Sequence, residues 1–574
     1  MNAAMSMHVL VSSAVRTCRF RIDDHPRVLQ ASLSFEAYGD LPMRALLFRF
    51  YRPDGALLHE IHPVRGAMSE DSVLSRIRKL PLALRMEYLI RSLLRRKLYF
   101  SLDLPPSCLQ YPRFSVRVEN VGGAPVAVGM PRLSTSTLAP DRLEQNLHSI
   151  EGYGDRMSVF PGEPLQLFVH APRRRFALTV IRHGAREQSM LSIGGIEGKP
   201  QHYAANAYEC GAAWEPTFTL QVGADWCSGM YAARISDSSG AAFDITFIVK
   251  KRRLGRPAGV AVLASTNTWL AYNAWGGASL YRYDIDDGLG KRSAFRVHMQ
   301  RPNPAASPAG DDGHLANAEK HILRWLEQNG IAYDLYADID LHDTPTLLRQ
   351  YPTLVISTHS EYWTDPMYRG LESFLDAGGN LIYLSGNGLY WKAEIRAQQL
   401  EVKYDSGRHT FSGEAGGRWR DCGRSETRML GIRFTLAGKS TYGPYKVIAP
   451  RHWIFDGTGV ETGSLIGKAG LNMGGASGWE MDKIDPRNKP AGLVHLAKGT
   501  NRWRSGADMT YFTHAGGGGV FSAGSITFGG SLAIDPVLSR MLRNVFARFS
   551  RPCAEAETTG ASGRAHVAVA VRQL

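Results

Sequence analysis

The sequence predicts a multidomain α+β chain, with β-sandwich or jelly-roll-like domains in its N-terminal half and then an α/β domain with a mostly parallel sheet. Three observations predict it. At 574 residues the chain is too long for one hydrophobic core. Up to about residue 250, short β-branched and aromatic runs recur between Gly, Pro and Asp turn signals. Beyond that point apolar strands alternate with amphipathic helices, which is the pattern of βαβ units.

Residues 1–145 read as a β-sandwich, with strand runs at 28–35, 46–51 and 114–118. A basic helix at about 71–97 interrupts it, where Arg76, Arg78, Lys79, Arg85, Arg91, Arg95, Arg96 and Lys97 surround a set of leucines. Such a helix packs its leucines inward and solvates its arginines; peripheral contact of 76–97 with anionic lipid is the alternative. Residues 146–252 read as a small sandwich, closed by the linker Lys250-Lys251-Arg252-Arg253.

Residues 253–552 carry the α/β pattern. The run 259–264 is continuously apolar, as in a strand buried on both faces. Helices are expected at 316–328, 366–377 and 536–549, and strands at 353–357, 381–385 and 520–528. An irregular, Gly-rich insertion occupies about 400–510, and the Ala- and Gly-rich tail at 553–574 reads as disordered.

Composition narrows the function. A chain 44% hydrophobic and 21% charged, with no apolar run of about 18 residues and no basic leader, is expected in the cytoplasm. Its net charge of +14 accompanies no nucleic-acid module, so no nucleic-acid partner is expected. Six cysteines without a C-x-x-C pair give neither a zinc ribbon nor a disulfide frame.

The stretch 268–281 places Trp269, Tyr272, Asn273, Trp275 and Tyr281 just after an apolar strand, where open α/β sheets bind ligands. Trp269, Tyr272, Asn273 and Trp275 are the candidate substrate-binding residues. Two more strand ends carry polar clusters, one with His359, Glu361 and Tyr362 and one with Asn387 and Tyr390. If the strands are neighbours, all three segments face one crevice. His359, Glu361 and Asn387 are the candidate catalytic residues, His359 as a base near neutral pH. No cysteine lies between Cys227 and Cys422 and no G-x-S-x-G is present, which argues against covalent acyl transfer. The remaining oxygen donors, Tyr362, Tyr390, Glu361, Asp365 and Glu480, are hard ligands suited to iron.

The ordered series Trp269-x-Ala271-Tyr272-Asn273-Ala274-Trp275-Gly276-Gly277, His359-x-Glu361-Tyr362, Gly386-Asn387-Gly388-x-Tyr390-Trp391, Phe411-x-Gly413-Glu414 and Ala507-Asp508-Met509-x-Tyr511-Phe512 resembles the large (beta) subunit of N,N-dimethylformamidase over about 150–550. The resemblance implies a glutamine-amidotransferase-like α/β domain. It also implies an amidohydrolase acting on a small linear amide, with a mononuclear iron (Fe3+) held by Tyr362, Tyr390 and Glu480 and activating water. It implies as well a small partner subunit, a homo-oligomer being the other possibility. The family's glutamate motif has a histidine two residues ahead of the glutamate, where this chain has Gly478. A non-catalytic or carbohydrate-directed binding protein that keeps the fold is the competing reading.

Overall fold

The structure is a computed structural model that describes residues 8–10, 15–21, 28–38, 46–61, 97–103, 113–120, 126–128, 132–137, 149–203, 207–251, 257–281, 294–310, 313–403, 408–437, 439–471, 473–502 and 505–549. The expected basic helix up to residue 96 and the tail at 553–574 lie outside them, and Lys97 opens a strand, Lys97–Asp103.

The architecture is multidomain and β-rich. Near the N-terminal end Val15–Arg21, Arg113–Asn120, Leu46–Tyr51 and Leu57–Ile61 form an antiparallel sheet in that order. Phe48 and Phe50 face inward with Phe114, Val116 and Val118, the period of two that one buried sheet face requires. Further on, a three-stranded and a five-stranded sheet share one core, into which Leu165, Leu167 and Val169 of Pro164–His170 and Leu178 and Val180 of Arg175–His183 point. This is the sandwich packing expected of alternating strands.

The α/β part is numbered from its first strand. β1 (Val260–Ala264) runs into the short helix α1 (Thr266–Tyr272). Then come α2 (Ala316–Gln328), β2 (Asp334–Ala337), β3 (Thr353–Thr358), β4 (Tyr362–Thr364), α3 (Asp365–Asp376) and β5 (Asn380–Ser385). β6 (Trp391–Arg396) and β7 (Gln399–Val402) form a hairpin outside the main sheet. β8 (Tyr445–Val447), β9 (Leu465–Ile466), β10 (Val494–Gly499), β11 (Asp508–Thr513), β12 (Gly519–Ser522) and α4 (Pro536–Phe549) complete it.

The main sheet has the order β2-β1-β3-β5-β12-β11-β10-β8-β9. Its first five strands pair in parallel and the rest antiparallel, so the sheet is mixed where a mostly parallel one was expected. β8, β9 and β10 come from the 400–510 segment, and strands of 3, 2 and 6 residues between glycine turns are too short for their period to stand out in sequence. β1 and β3 are buried along their whole length, as strands covered on both faces must be. Among the described residues no helix is long and apolar enough to cross a membrane.

Candidate active site

Because β1, β3 and β5 are parallel neighbours, the segments that leave their carboxyl ends meet on one edge of the sheet. β1 delivers α1 and Tyr272, β3 delivers His359 and Glu361, and β5 delivers Asn387. Glu480 arrives from the insertion. A Cβ on Gly386 would collide with the Glu480 carbonyl oxygen, so the absent side chain is what lets the β5 turn approach.

Tyr272, His359 and Glu361 bring three donor atoms to the corners of a nearly equilateral triangle. Tyr272 Oη lies 3.0 Å from His359 Nε2 and donates to Glu361 Oε2 at 3.1 Å, and His359 Nε2 is 3.2 Å from Glu361 Oε2. Asn387 Nδ2 donates to Glu361 Oε1 at 3.2 Å and to Glu480 Oε2 at 2.8 Å, bridging the two carboxylates. Glu480 Oε1 pairs with Lys439 Nζ at 2.7 Å, and Lys439 also reaches the hydroxyl of Tyr281, whose ring stacks on Tyr272. His359 Nδ1 is 3.0 Å from the Gly386 carbonyl, an acceptor, so Nδ1 carries a proton and the neutral ring keeps its lone pair on Nε2.

The electrostatics follow from burial against these contacts. Burial opposes ionisation of Glu480, but Lys439 and His359 outweigh it and hold the carboxyl at about 2. Burial disfavours the imidazolium of His359, and Glu361 and Glu480 overcome it, so the pKa is raised. Burial and then the charge of Glu361 push the Tyr272 phenol well up. Thr358, Asn387 and Trp479 hold positive φ angles of 59°, 52° and 64°, a backbone strain that gathers at functional sites.

The segment read as an aromatic loop begins as a helix, α1. None of its own side chains caps it; instead Glu319 accepts from Ser265 N at 3.3 Å and Asp338 from Asn267 N at 2.8 Å. Ser265 stands at the N-cap position without its side chain capping, so the bonds that start this seven-residue helix come from distant elements. Trp269 Nε1 donates to Glu319 and Trp275 Nε1 to Glu151, so both buried rings are anchored by carboxylates outside the triangle. Asn273 spends its side chain on Pro302 O and Trp275 N, holding the loop together. Of the four aromatic-stretch candidates, Tyr272 alone joins the cluster.

Among the residues the resemblance assigns to iron, Glu480 sits in the cluster. Tyr362 is buried in an apolar group with Leu270, Leu280 and Trp391, near enough to Tyr272 for their charges to interact. Tyr390 turns its hydroxyl to Arg418, with Arg420 over its ring 5.1 Å from the centroid and Phe434 at its edge. Tyr272, His359 and Glu361 bring their donor atoms together pairwise, with Glu480 beside them. Separations of 3.0 to 3.2 Å are close to the ~3.4 Å expected between donors that share a cation at about 2.1 Å. Lys439 and His314 carry no signal in the sequence; a lone Lys in a Gly-rich insertion gives none.

Residues 177–543 match the family described as N,N-dimethylformamidase beta subunit-like, C-terminal. The N,N-dimethylformamidase beta subunit of Paracoccus aminophilus is 27% identical over 438 residues, 61% of this chain and 57% of that protein. The beta subunit from Alcaligenes sp is 27% identical over 416 residues, 58% of this chain and 54% of that protein. The chain thus spans little more than half the length of these curated relatives. With well over half of its own length inside the matched region, the chain belongs to the N,N-dimethylformamidase beta subunit-like family.

Proposed function

We propose that this chain hydrolyses the C–N bond of a small amide at a mononuclear cation site held by Tyr272, His359 and Glu361. The triangle of phenol, imidazole and carboxylate is the observation that carries the reading. A second feature supports it: His359 stands two residues before Glu361, the spacing that the family's glutamate motif shows and that Gly478 denies to Glu480. Iron suits the set because phenolate and carboxylate are hard donors. Bound there, it would polarise the amide carbonyl and acidify a water molecule.

The chain's own groups do the rest. Asn387 holds Glu361 and Glu480 at a fixed separation, and Asp482 holds Asn387 in turn by accepting from its backbone N at 2.9 Å. Gly386 O fixes the His359 ring through Nδ1, so the lone pair on Nε2 is the one offered to the cation beside Glu361 and Glu480. Lys439 neutralises Glu480, leaving Glu361 as the carboxylate that meets only hydrogen-bond donors and His359. The curated relatives are named beta subunits, which supports assembly with a partner subunit.

Elemental analysis and a visible tyrosinate-to-ferric band test the reading. We expect bound iron and a band that is lost in Tyr272→Phe and kept in Tyr362→Phe. Protein that binds no metal after reconstitution and cleaves no amide ends the proposal.

A further inference from the structure

A line of aromatic rings leads from the triangle to the surface. Tyr272 meets His314 edge-on at 5.0 Å between centroids, His314 meets Trp479 at 6.2 Å, and Trp479 stacks on Tyr442 at 6.4 Å with 23° between planes. Tyr272 and Trp479 are half-buried, His314 between them keeps 8% of its surface, and Tyr442 at the outer end keeps 36%. Met473, also 36% exposed, lies over Gly313 beside His314 and sits next to Gly474, whose Cβ position faces the Tyr442 ring.

Trp479 is held in place at a cost. It adopts φ 64°, a conformation a bulky side chain rarely takes, immediately before Glu480. Two backbone bonds lock it, Trp479 N to Thr441 O at 3.1 Å and Ser440 N to Trp479 O at 2.7 Å, and the short pairing of Tyr442 with Gly478 places the two rings together. A packing residue could occupy an ordinary backbone well, whereas here the strained backbone sets a large ring between His314 and Tyr442. Lys439, three residues before Tyr442, is spent on Glu480 and Tyr281, and the rings of the path themselves present apolar faces.

We infer that the Tyr272–His314–Trp479–Tyr442 ladder is the substituent subsite of the amide-hydrolase reading, on which this inference rests, and that it selects amides with a flat, neutral, apolar N-substituent, such as an N-aryl formamide. Stacked and edge-on rings hold a flat apolar group well and give one or two methyl groups little to grip.

The test compares N-phenylformamide, N,N-dimethylformamide and formamide as substrates of the purified full-length protein, its Trp479→Asn variant and its Tyr442→Ala variant. Asn tolerates a positive φ, so Trp479→Asn removes the ring without adding strain. The expected result is a wild-type kcat/KM highest for N-phenylformamide. The ratio of N-phenylformamide to formamide should fall about tenfold or more in Trp479→Asn, chiefly through KM, and less in Tyr442→Ala. A ratio unchanged in both variants, or a wild type that favours the small amides, overturns the inference. If no amide is cleaved, the hydrolase reading fails by itself, and titration with N-phenylformamide followed by tryptophan fluorescence still tests the ladder. Saturable quenching that Trp479→Asn abolishes supports the subsite, and no saturable binding overturns it.

Discussion

Two places among the described residues gather a histidine with two glutamates, and the protein treats them differently. On the β6–β7 hairpin Glu394 and Glu401 stand directly opposite each other, with His409 Nδ1 3.3 Å from Glu401 and 3.9 Å from Glu394. Like charges in that register repel, and the chain supplies its own remedy. Lys403 and Arg296 approach Glu401 Oε2 at 3.5 and 3.6 Å, and Ser412 donates to Glu394. At the candidate active site, by contrast, Glu361 has no lysine or arginine partner among the described residues and meets Tyr272, His359 and Asn387. Residue type alone does not make a cation site; what matters is whether the fold has already supplied the positive charge.

The largest effect expected from this contrast is loss of the metal. Glu361→Gln should lower metal retention and amide hydrolysis by about a hundredfold or more, while Glu401→Gln leaves metal content at its wild-type level. Elemental analysis of both proteins after dialysis decides between them, and metal lost from Glu401→Gln instead would reverse the comparison. Stability should show the opposite ranking. Glu401→Ala strands Lys403 as a buried cation, while Arg296 keeps Glu209, at a cost of about 3–5 kcal/mol in denaturant unfolding.

Two buried acids sharpen the contrast through pH. Burial opposes ionisation of Glu401, but its bond from His409 and the charge of Lys403 hold the carboxyl at about 2, below the ordinary 4.5. A depressed pKa gives stability that is complete above 4.5 and is lost as pH falls toward 2, about 3 kcal/mol in all. Glu319, which anchors α1 through Ser265 and Trp269, is pushed by burial up to about 7 against the bonds from Trp269 and Ser265. A raised pKa works the other way: its stability is complete below 4.5 and drains away as pH rises through 7. Glu319→Gln keeps an acceptor and removes the ionisation. It should therefore gain on the wild type by up to about 3 kcal/mol between pH 5 and pH 8, whereas Glu401→Gln should lose its disadvantage toward acid. Equal slopes for wild type and Glu319→Gln would show that Glu319 is already ionised in the folded protein at pH 5 and that burial does not raise its pKa.

The strand ends were legible because buried parallel strands announce themselves as unbroken apolar runs; from β1, β3 and β5 the convergence of Tyr272, His359, Glu361 and Asn387 follows. Their division of labour was not legible. Whether Tyr272 or Tyr362 reaches Glu361 depends on a helix capped by Glu319 and Asp338 from elsewhere in the chain, 54 and 71 residues away from the groups they bind. Lys439 finds Tyr281 across 158 residues, a contact with no trace in local pattern. Tyr390 shows the limit of adjacency: it lies just before β6, beside Asn387 in sequence, yet its hydroxyl goes to Arg418.

Asn273 gives the smallest effect and the finest test of this division. Its place in the aromatic stretch makes it a candidate substrate contact, and the structure buries it with both side-chain groups engaged, Nδ2 donating to Pro302 O at 2.9 Å and Oδ1 accepting from Trp275 N at 3.0 Å. Replacing it by Ala leaves those two backbone groups without partners, which costs about 1–3 kcal/mol. Arg301 still holds the Leu270, Asn273 and Trp275 carbonyls, so the loop should keep its course. Asn273→Ala should accordingly lower the thermal midpoint and leave the ranking of amide substrates as it was. A change in that ranking without a fall in stability would return Asn273 to the substrate, and the boundary between the loop that shapes this site and the residues that act in it would have to be redrawn.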